Sequence, residues 1–216
     1  MKKKMTTSNP IYLCSPKIYE GVTPLPMIEF KLTAKELDLS WCDTLLFSSK
    51  QAVIFADKLN KEWKNKNIVA VGPATKEMAI KLGAKEVYYP KEYYGEVLAK
   101  DILKYFSDRK ILYIRPKVVS FDSYNFLKKH GIDIKEAIIY ETLCKSYKDV
   151  KLEKNSIIIF TSPSTIECFF KNFEWDSTFK AVVIGKKTLK NLPKNINVAI
   201  ADTQTIKSCI KKAKSL

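Results

Sequence analysis

Leu45-Leu46-Phe47-Ser48-Ser49-Lys50 and, much later, Ile158-Ile159-Phe160-Thr161-Ser162-Pro163 decide the fold of this chain. Each reads as an apolar strand that ends in hydroxyl residues and opens a helix. The turn that follows repeats too, with Val71, Gly72 and Thr75 recurring as Ile184, Gly185 and Thr188. Phe47 to Phe160, Gly72 to Gly185 and Thr75 to Thr188 are each separated by the same 113 residues. A single match arises easily in any α/β protein. Strand ends, turn glycines and helix-opening hydroxyls matched at one offset point to two related α/β halves.

Outward from these turns, short β-branched and aromatic runs alternate with segments of helical period, the rhythm of an α/β protein with parallel sheets. Strands are predicted over 11–14, 44–47, 68–71, 86–89, 110–114, 133–140, 156–160, 181–184 and 197–200. Helices are predicted over 50–60, 75–82, 95–106, 121–129, 164–171, 187–192 and 203–213, each with one apolar face. At 216 residues the chain makes one large domain or two small ones, and 46% apolar with 28% charged residues excludes a disordered chain. No apolar run approaches the roughly 18 residues of a membrane-spanning helix, so no membrane partner is expected. Lys2, Lys3 and Lys4 resemble the start of an export signal, but a polar run from Thr6 to Pro10 follows where its apolar core belongs. The expectation is a cytoplasmic protein.

Cys14, Cys42, Cys144, Cys168 and Cys209 are odd in number, scattered and never in a C-x-x-C pair. That argues against a disulfide framework or a zinc site and reads as reduced packing residues. His130 is the only histidine, and before Gly131 it reads as a cation at a helix C-terminus rather than a catalytic base. A net charge of +15 favours anionic partners. All the basic residues except Arg109 and Arg115 are lysines, spread along the chain instead of forming an arginine-rich stripe, so a small anionic ligand is favoured over nucleic acid.

Each repeated turn sets Ser or Thr and free backbone N–H groups at a strand's C-terminal end and a helix's N-terminus, where anions are favoured. Two readings are open. Ser49, Ser162, Thr75 and Thr188 are helix N-caps that satisfy those same donors, or, paired across two halves, they form a two-sided site for a ligand with several carboxylates or phosphates. Neither G-x-G-x-x-G nor G-x-x-x-x-G-K-[ST] occurs, so no nucleotide loop is expected.

From Thr44 onward the chain resembles the uroporphyrinogen-III synthases of tetrapyrrole biosynthesis. The resemblance rests on L-L-F-S-S-K-Q-A-V (45–53), V-A-V-G-P-A-T-K-E (69–77), I-L-Y-I-R-P (111–116), L-K-K-H-G (127–131), Y-E-T (140–142), I-I-F-T-S-P-S-T (158–165) and V-I-G-K-K-T (183–188), in that order. It implies two similar α/β domains with parallel sheets joined by two linker strands. Domain one would be 1–30 plus 145–216 and domain two 37–139, with linkers at 27–33 and 137–143. The implied reaction closes the linear tetrapyrrole hydroxymethylbilane into uroporphyrinogen III, losing water and inverting the terminal ring through a spiro intermediate, without metal or cofactor. The acetates and propionates of the substrate would meet Ser48, Ser49, Gly72, Thr75, Thr161, Ser162, Ser164, Gly185 and Thr188. Tyr140 of the Y-E-T segment would be the acid that helps the hydroxyl leave; its bland alternative is a packed linker aromatic.

The chain departs from the family's pattern in several places. Between Ile11 and Met27 there is no room for a helix, so domain one reads as trimmed. Cys14, Ser15 and Pro16 stand where the family often has an arginine, Pro116 follows Arg115 where glycine is common, and Lys186 and Lys187 replace Pro-Thr. Arg115 is a secondary candidate contact. A non-catalytic module closing on a polyanionic small molecule is the competing reading, and the expected oligomeric state is a monomer.

Overall fold

The computed structural model describes residues 9–92, 95–119 and 121–216, so Lys2, Lys3, Lys4 and the start of the polar run lie outside the described residues. In chain order the elements begin β1 (Ile11–Leu13), β2 (Thr23–Pro24), β3 (Ile28–Leu32), β4 (Thr44–Phe47), α1 (Lys50–Leu59), β5 (Asn67–Ala70), α2 (Pro73–Lys81) and α3 (Gly95–Tyr105). They continue β6 (Ile111–Pro116), α4 (Ser123–Lys129), β7 (Ile134–Cys144), β8 (Ile157–Phe160), α5 (Pro163–Phe170), β9 (Lys180–Val183), α6 (Lys186–Leu189), β10 (Val198–Ile200) and α7 (Ile206–Lys214). The chain divides into two compact units, one of residues up to Glu29 with Leu143–Leu216, the other Phe30–Thr142. They are called the outer unit and the inner unit below, for their places in the sequence.

The inner unit holds a sheet in the order β3-β7-β6-β4-β5, and β7, β6, β4 and β5 run parallel. Strands β4, β5 and most of β6 are buried on both faces, which is why they read as unbroken apolar runs, whereas the edge strand β3 and its neighbour β7 are partly exposed. On one face Leu45, Phe47, Ile68, Ala70 and Ile114 meet Ala52, Val53, Phe55 and Ala56 of α1 and Ala79 of α2. On the other Leu46, Val69, Ile111, Tyr113 and Ile134 meet Leu98, Ala99 and Ile102 of α3 and Leu127 of α4. α4 stops at His130, as the sequence indicates: Gly131 takes φ +81, a left-handed conformation, so that the Ile132 N–H reaches back to the Leu127 carbonyl.

The outer unit holds the order β10-β9-β8-β1-β2, all parallel. One face packs Phe160, Ala181 and Val183 on Ile166 and Phe169 of α5; the other packs Ile157, Ile159 and Val182 on Cys209, Ile210 and Ala213 of α7. β4, α1, β5 and α2 begin at residues 44, 50, 67 and 73, and β8, α5, β9 and α6 at 157, 163, 180 and 186. The offset of 113 read from the sequence therefore holds for four successive elements.

Corrections to the sequence reading are local. Residues 86–89 do not form a strand; Tyr88 alone bridges Val69, because Glu86 is exposed and supplies no apolar face. A 3₁₀ helix at Lys61–Asn65 and strand β2 carry no periodic signal of their own and were not anticipated. Thr75 and Thr188 are not N-caps: Gly72 and Gly185 take that position, and the threonines sit one turn inside, buried. Cys144 and Cys168 are not reduced packing residues but a disulfide, brought together where the end of β7 meets α5; a separation of 24 residues is no recognisable motif. Cys14, Cys42 and Cys209 are free and buried. No helix appears in the described stretch between β1 and β2, as the short spacing requires.

Candidate functional site

In both units the repeated turns lie at the C-terminal ends of parallel strands, the edge at which open α/β sheets bind ligands. Within the inner unit β4 and β5 are paired neighbours, so the turn at Ser48 and Ser49 lies beside the turn at Gly72 and Thr75. Pairing of β8 with β9 does the same for Thr161, Ser162 and Ser164 beside Gly185 and Thr188 in the outer unit. Hydrogen bonds match as well. Ser48 Oγ donates to the Ile114 carbonyl at 3.3 Å, and Thr161 Oγ1 donates to the Cys14 carbonyl at 3.3 Å. The Thr75 N–H donates to the Gly72 carbonyl at 3.1 Å, and the Thr188 N–H to that of Gly185 at 3.0 Å.

Ser49 and Ser162 are N-caps: Ser49 Oγ accepts the Ala52 N–H at 3.2 Å, and Ser162 Oγ accepts the Thr165 N–H at 3.4 Å. Thr165 returns the bond, its Oγ1 accepting the Ser162 N–H, which closes a capping box. The bland reading of these two serines is therefore correct as far as it goes. First-turn N–H groups beyond those caps have no intrahelical partner, and with the helix dipole they favour a carboxylate. Thr75 and Thr188, at 4% and 3% exposure, make no side-chain hydrogen bond among the described residues.

Tyr140 lies on β7 and is 2% exposed, its ring against Phe55 at 5.4 Å and Phe30 at 6.0 Å between centroids. Its hydroxyl is 2.8 Å from Ser49 Oγ. Sequence reasoning named both residues and missed that they touch. The register between β6 and β7 shifts here: Arg115 is opposite Ile138, and Pro116 is opposite Tyr140. Proline has no N–H for the ladder, so a bulge forms, and Ile139 and Tyr140 are buried in succession where alternation would expose one. Pro116 in a strand was the signal that could have revealed this. Burial raises the Tyr140 pKa above 10.0, and bonds from Ser49 and Ser48 only partly offset it, so the phenol stays protonated at neutral pH.

Arg115, a secondary candidate contact, is largely engaged within the protein. Its Nε donates to Glu136 at 2.8 Å and its Nη1 to the carbonyls of Pro116 and Lys117, bracing the bulge. Cys14 is buried with its thiol pKa pushed up by desolvation, the opposite of a nucleophile's environment. His130 Nδ1 sits 2.8 Å from the Phe126 carbonyl at the end of α4. Among the described residues no cluster of His, Cys, Asp or Glu could hold a metal ion, and no helix is long and apolar enough to cross a membrane.

Two α/β units with mostly parallel sheets, built on one repeat, each with hydroxyl-bearing turns at its strand ends and one with a protonated phenol there, define a two-domain α/β protein. Residues 20–211 match the family model of uroporphyrinogen-III synthase HemD, and the chain belongs to that family. It is similar to a uroporphyrinogen-III synthetase from Helicobacter pylori, with 25% identity, 96% of this chain and 99% of that chain covered, and a TM-score of 0.82. A mutant uroporphyrinogen III synthase from the extreme thermophile Thermus thermophilus shares the fold at 12% identity, with 96% and 98% covered and a TM-score of 0.59. No curated protein matches the chain in sequence.

Proposed function

We propose that this protein is a uroporphyrinogen-III synthase, a lyase of porphyrin and heme biosynthesis that closes hydroxymethylbilane into uroporphyrinogen III with loss of water and inversion of the terminal ring. The family match over residues 20–211 carries the reading. Every pyrrole of the bilane bears acetate and propionate, and the helix N-termini and hydroxyls of the repeated turns are donors suited to carboxylates. On this reading Ser48, Gly72 and Thr75 in the inner unit, and Thr161, Ser162, Ser164, Gly185 and Thr188 in the outer unit, hold the substrate's carboxylates.

The chemical difficulty is bringing the substituted carbon of the last ring onto the far end of a flexible chain. Fixing that geometry contributes most of the rate, because alignment replaces an unfavourable search of conformations. Tyr140 then supplies a hydrogen bond or proton to the departing hydroxyl; burial keeps the phenol protonated and makes it a weaker acid, which favours a donated hydrogen bond over complete proton transfer. On the same reading the protein acts as a cytoplasmic monomer without metal or cofactor; light scattering at the mass of one chain, 24.8 kDa, checks the first point.

The test gives purified protein freshly made hydroxymethylbilane and separates the oxidised products by isomer. Unassisted closure yields the type I isomer. An excess of type III is the expected result; type I alone would sink the catalytic reading.

A further inference from the structure

We infer that Ser49 is a positioning residue for Tyr140, donating to its hydroxyl so that the phenolic proton points outward, and is not an anchor for the substrate's carboxylates. The inference rests on the reading that Tyr140 is the acid. Ser49 Oγ has one proton and two lone pairs, and one lone pair takes the Ala52 N–H. If the serine donates to Tyr140 Oη across their 2.8 Å contact, the phenolic proton is left to point outward. If the phenol donates instead, both serine lone pairs are filled and the serine's own proton is left over. In the first arrangement the serine has no proton left for a carboxylate and the phenolic O–H is the single donor; that is the arrangement the inference requires.

The repeat supplies an internal comparison. Ser162 occupies the equivalent turn, caps its helix in the same way, and has Ser164 Oγ at 3.0 Å as its other partner, with no tyrosine. Capping therefore does not require the contact to a phenol; it belongs to the inner unit alone. The bulge opposite Pro116 and the rings of Phe30 and Phe55 fix the tyrosine from the other sides. Ser48 Oγ donates to the Ile114 carbonyl, and the hydrogen bond at the Tyr140 hydroxyl is the one to Ser49. Ser49 is thus the group that sets where the proton points.

A double-mutant cycle tests this with hydroxymethylbilane as substrate and uroporphyrinogen III formation as readout. Ser49→Ala is expected to lower kcat roughly tenfold, the value of one oriented hydrogen bond, while KM stays within about twofold. Ser49→Thr keeps the hydroxyl and the cap and is expected to restore most of kcat. Added to Tyr140→Phe, Ser49→Ala is expected to cost nothing more, because its only route to the reaction is gone. Thr205→Ala removes the N-cap of α7, a hydroxyl bonded to Thr203 and Ser208, and is expected to leave kcat unchanged.

Additive losses, or a Ser49→Ala variant that raises KM and spares kcat, would overturn the positioning role and leave Tyr140 in place. A Tyr140→Phe enzyme as fast as the parent would overturn both.

Discussion

The two units are the same design finished differently. Both carry strand, helix, strand and helix at one offset, and both end the first strand in a capping serine. In the inner unit β6 and β7 follow with α4 between them, so α3 and α4 cover one face of the sheet together. In the outer unit β1 and β2 take those places in the sheet, but only a loop joins them, and α7 covers the face. Differences continue inside the repeat. Where α1 carries Asp57, 8% exposed and bonded to Lys61, Lys64 and Trp63, the position 113 residues later is Phe170, in a cluster with Phe169, Phe173, Trp175 and Phe179. The parallel-sheet frame tolerates either a polar knot or an aromatic cluster behind its helix.

The strongest way to break this comparison is in the shared core. Phe47 and Phe160 are equivalent, fully buried, and stacked edge-on against Trp63 at 5.6 Å and Phe169 at 5.3 Å. Replacing either by alanine is expected to cost its own unit about 3–5 kcal/mol. Hydrogen exchange read separately in β4 and β8 checks this: equal losses, each confined to the mutated unit, are expected, and a loss shared by both would show that the units do not fold separately.

Next in size is the Cys144–Cys168 disulfide, which closes a separation of 24 residues in the outer unit only. Its reduction, or Cys144→Ser, is expected to lower that unit's stability by about 3 kcal/mol and spare the inner unit. Unchanged melting in reductant, or no disulfide-linked peptide by mass spectrometry, contradicts this.

A smaller effect separates the units by pH. Burial pushes the Asp57 pKa up, but bonds from Lys61, Trp63 and Lys64 outweigh it and hold the carboxyl below its ordinary 3.8. A depressed folded pKa gives stability that is present above the unfolded value and is lost as pH falls through the folded one. The Asp57 contribution to the inner unit should therefore be lost below about pH 3.8. Asp57→Asn should lower its stability at pH 7 by about 1–3 kcal/mol and flatten that acid limb in Trp fluorescence titrations.

Much of the frame was legible in the sequence because parallel strands buried on both faces leave apolar runs, and because duplication wrote the same turns twice. The predicted strand 44–47 coincides with β4, and most helix boundaries differ by one or two residues. Threonines at 75 and 188 were misplaced as caps because a glycine that caps through its backbone leaves no side-chain signature. The disulfide and the Ser49–Tyr140 contact were not legible: the first links residues 24 apart and the second residues 91 apart, and pairing across such distances is set by the tertiary fold. Tyr140 itself came from a resemblance in Y-E-T; nothing in its local pattern distinguishes it from the other tyrosines.

Removing the phenol beside the Ser49 turn, which the equivalent Ser162 turn lacks, tests the proposed assignment directly. Tyr140→Phe should be assayed for both rate and product isomer on hydroxymethylbilane. The expected result is a rate about 100-fold lower with type III still the product, since the acid speeds loss of water while the fold sets which carbon attacks. An unchanged rate, or a product that reverts to type I, would contradict the assignment of acid to Tyr140 and of geometry to the frame.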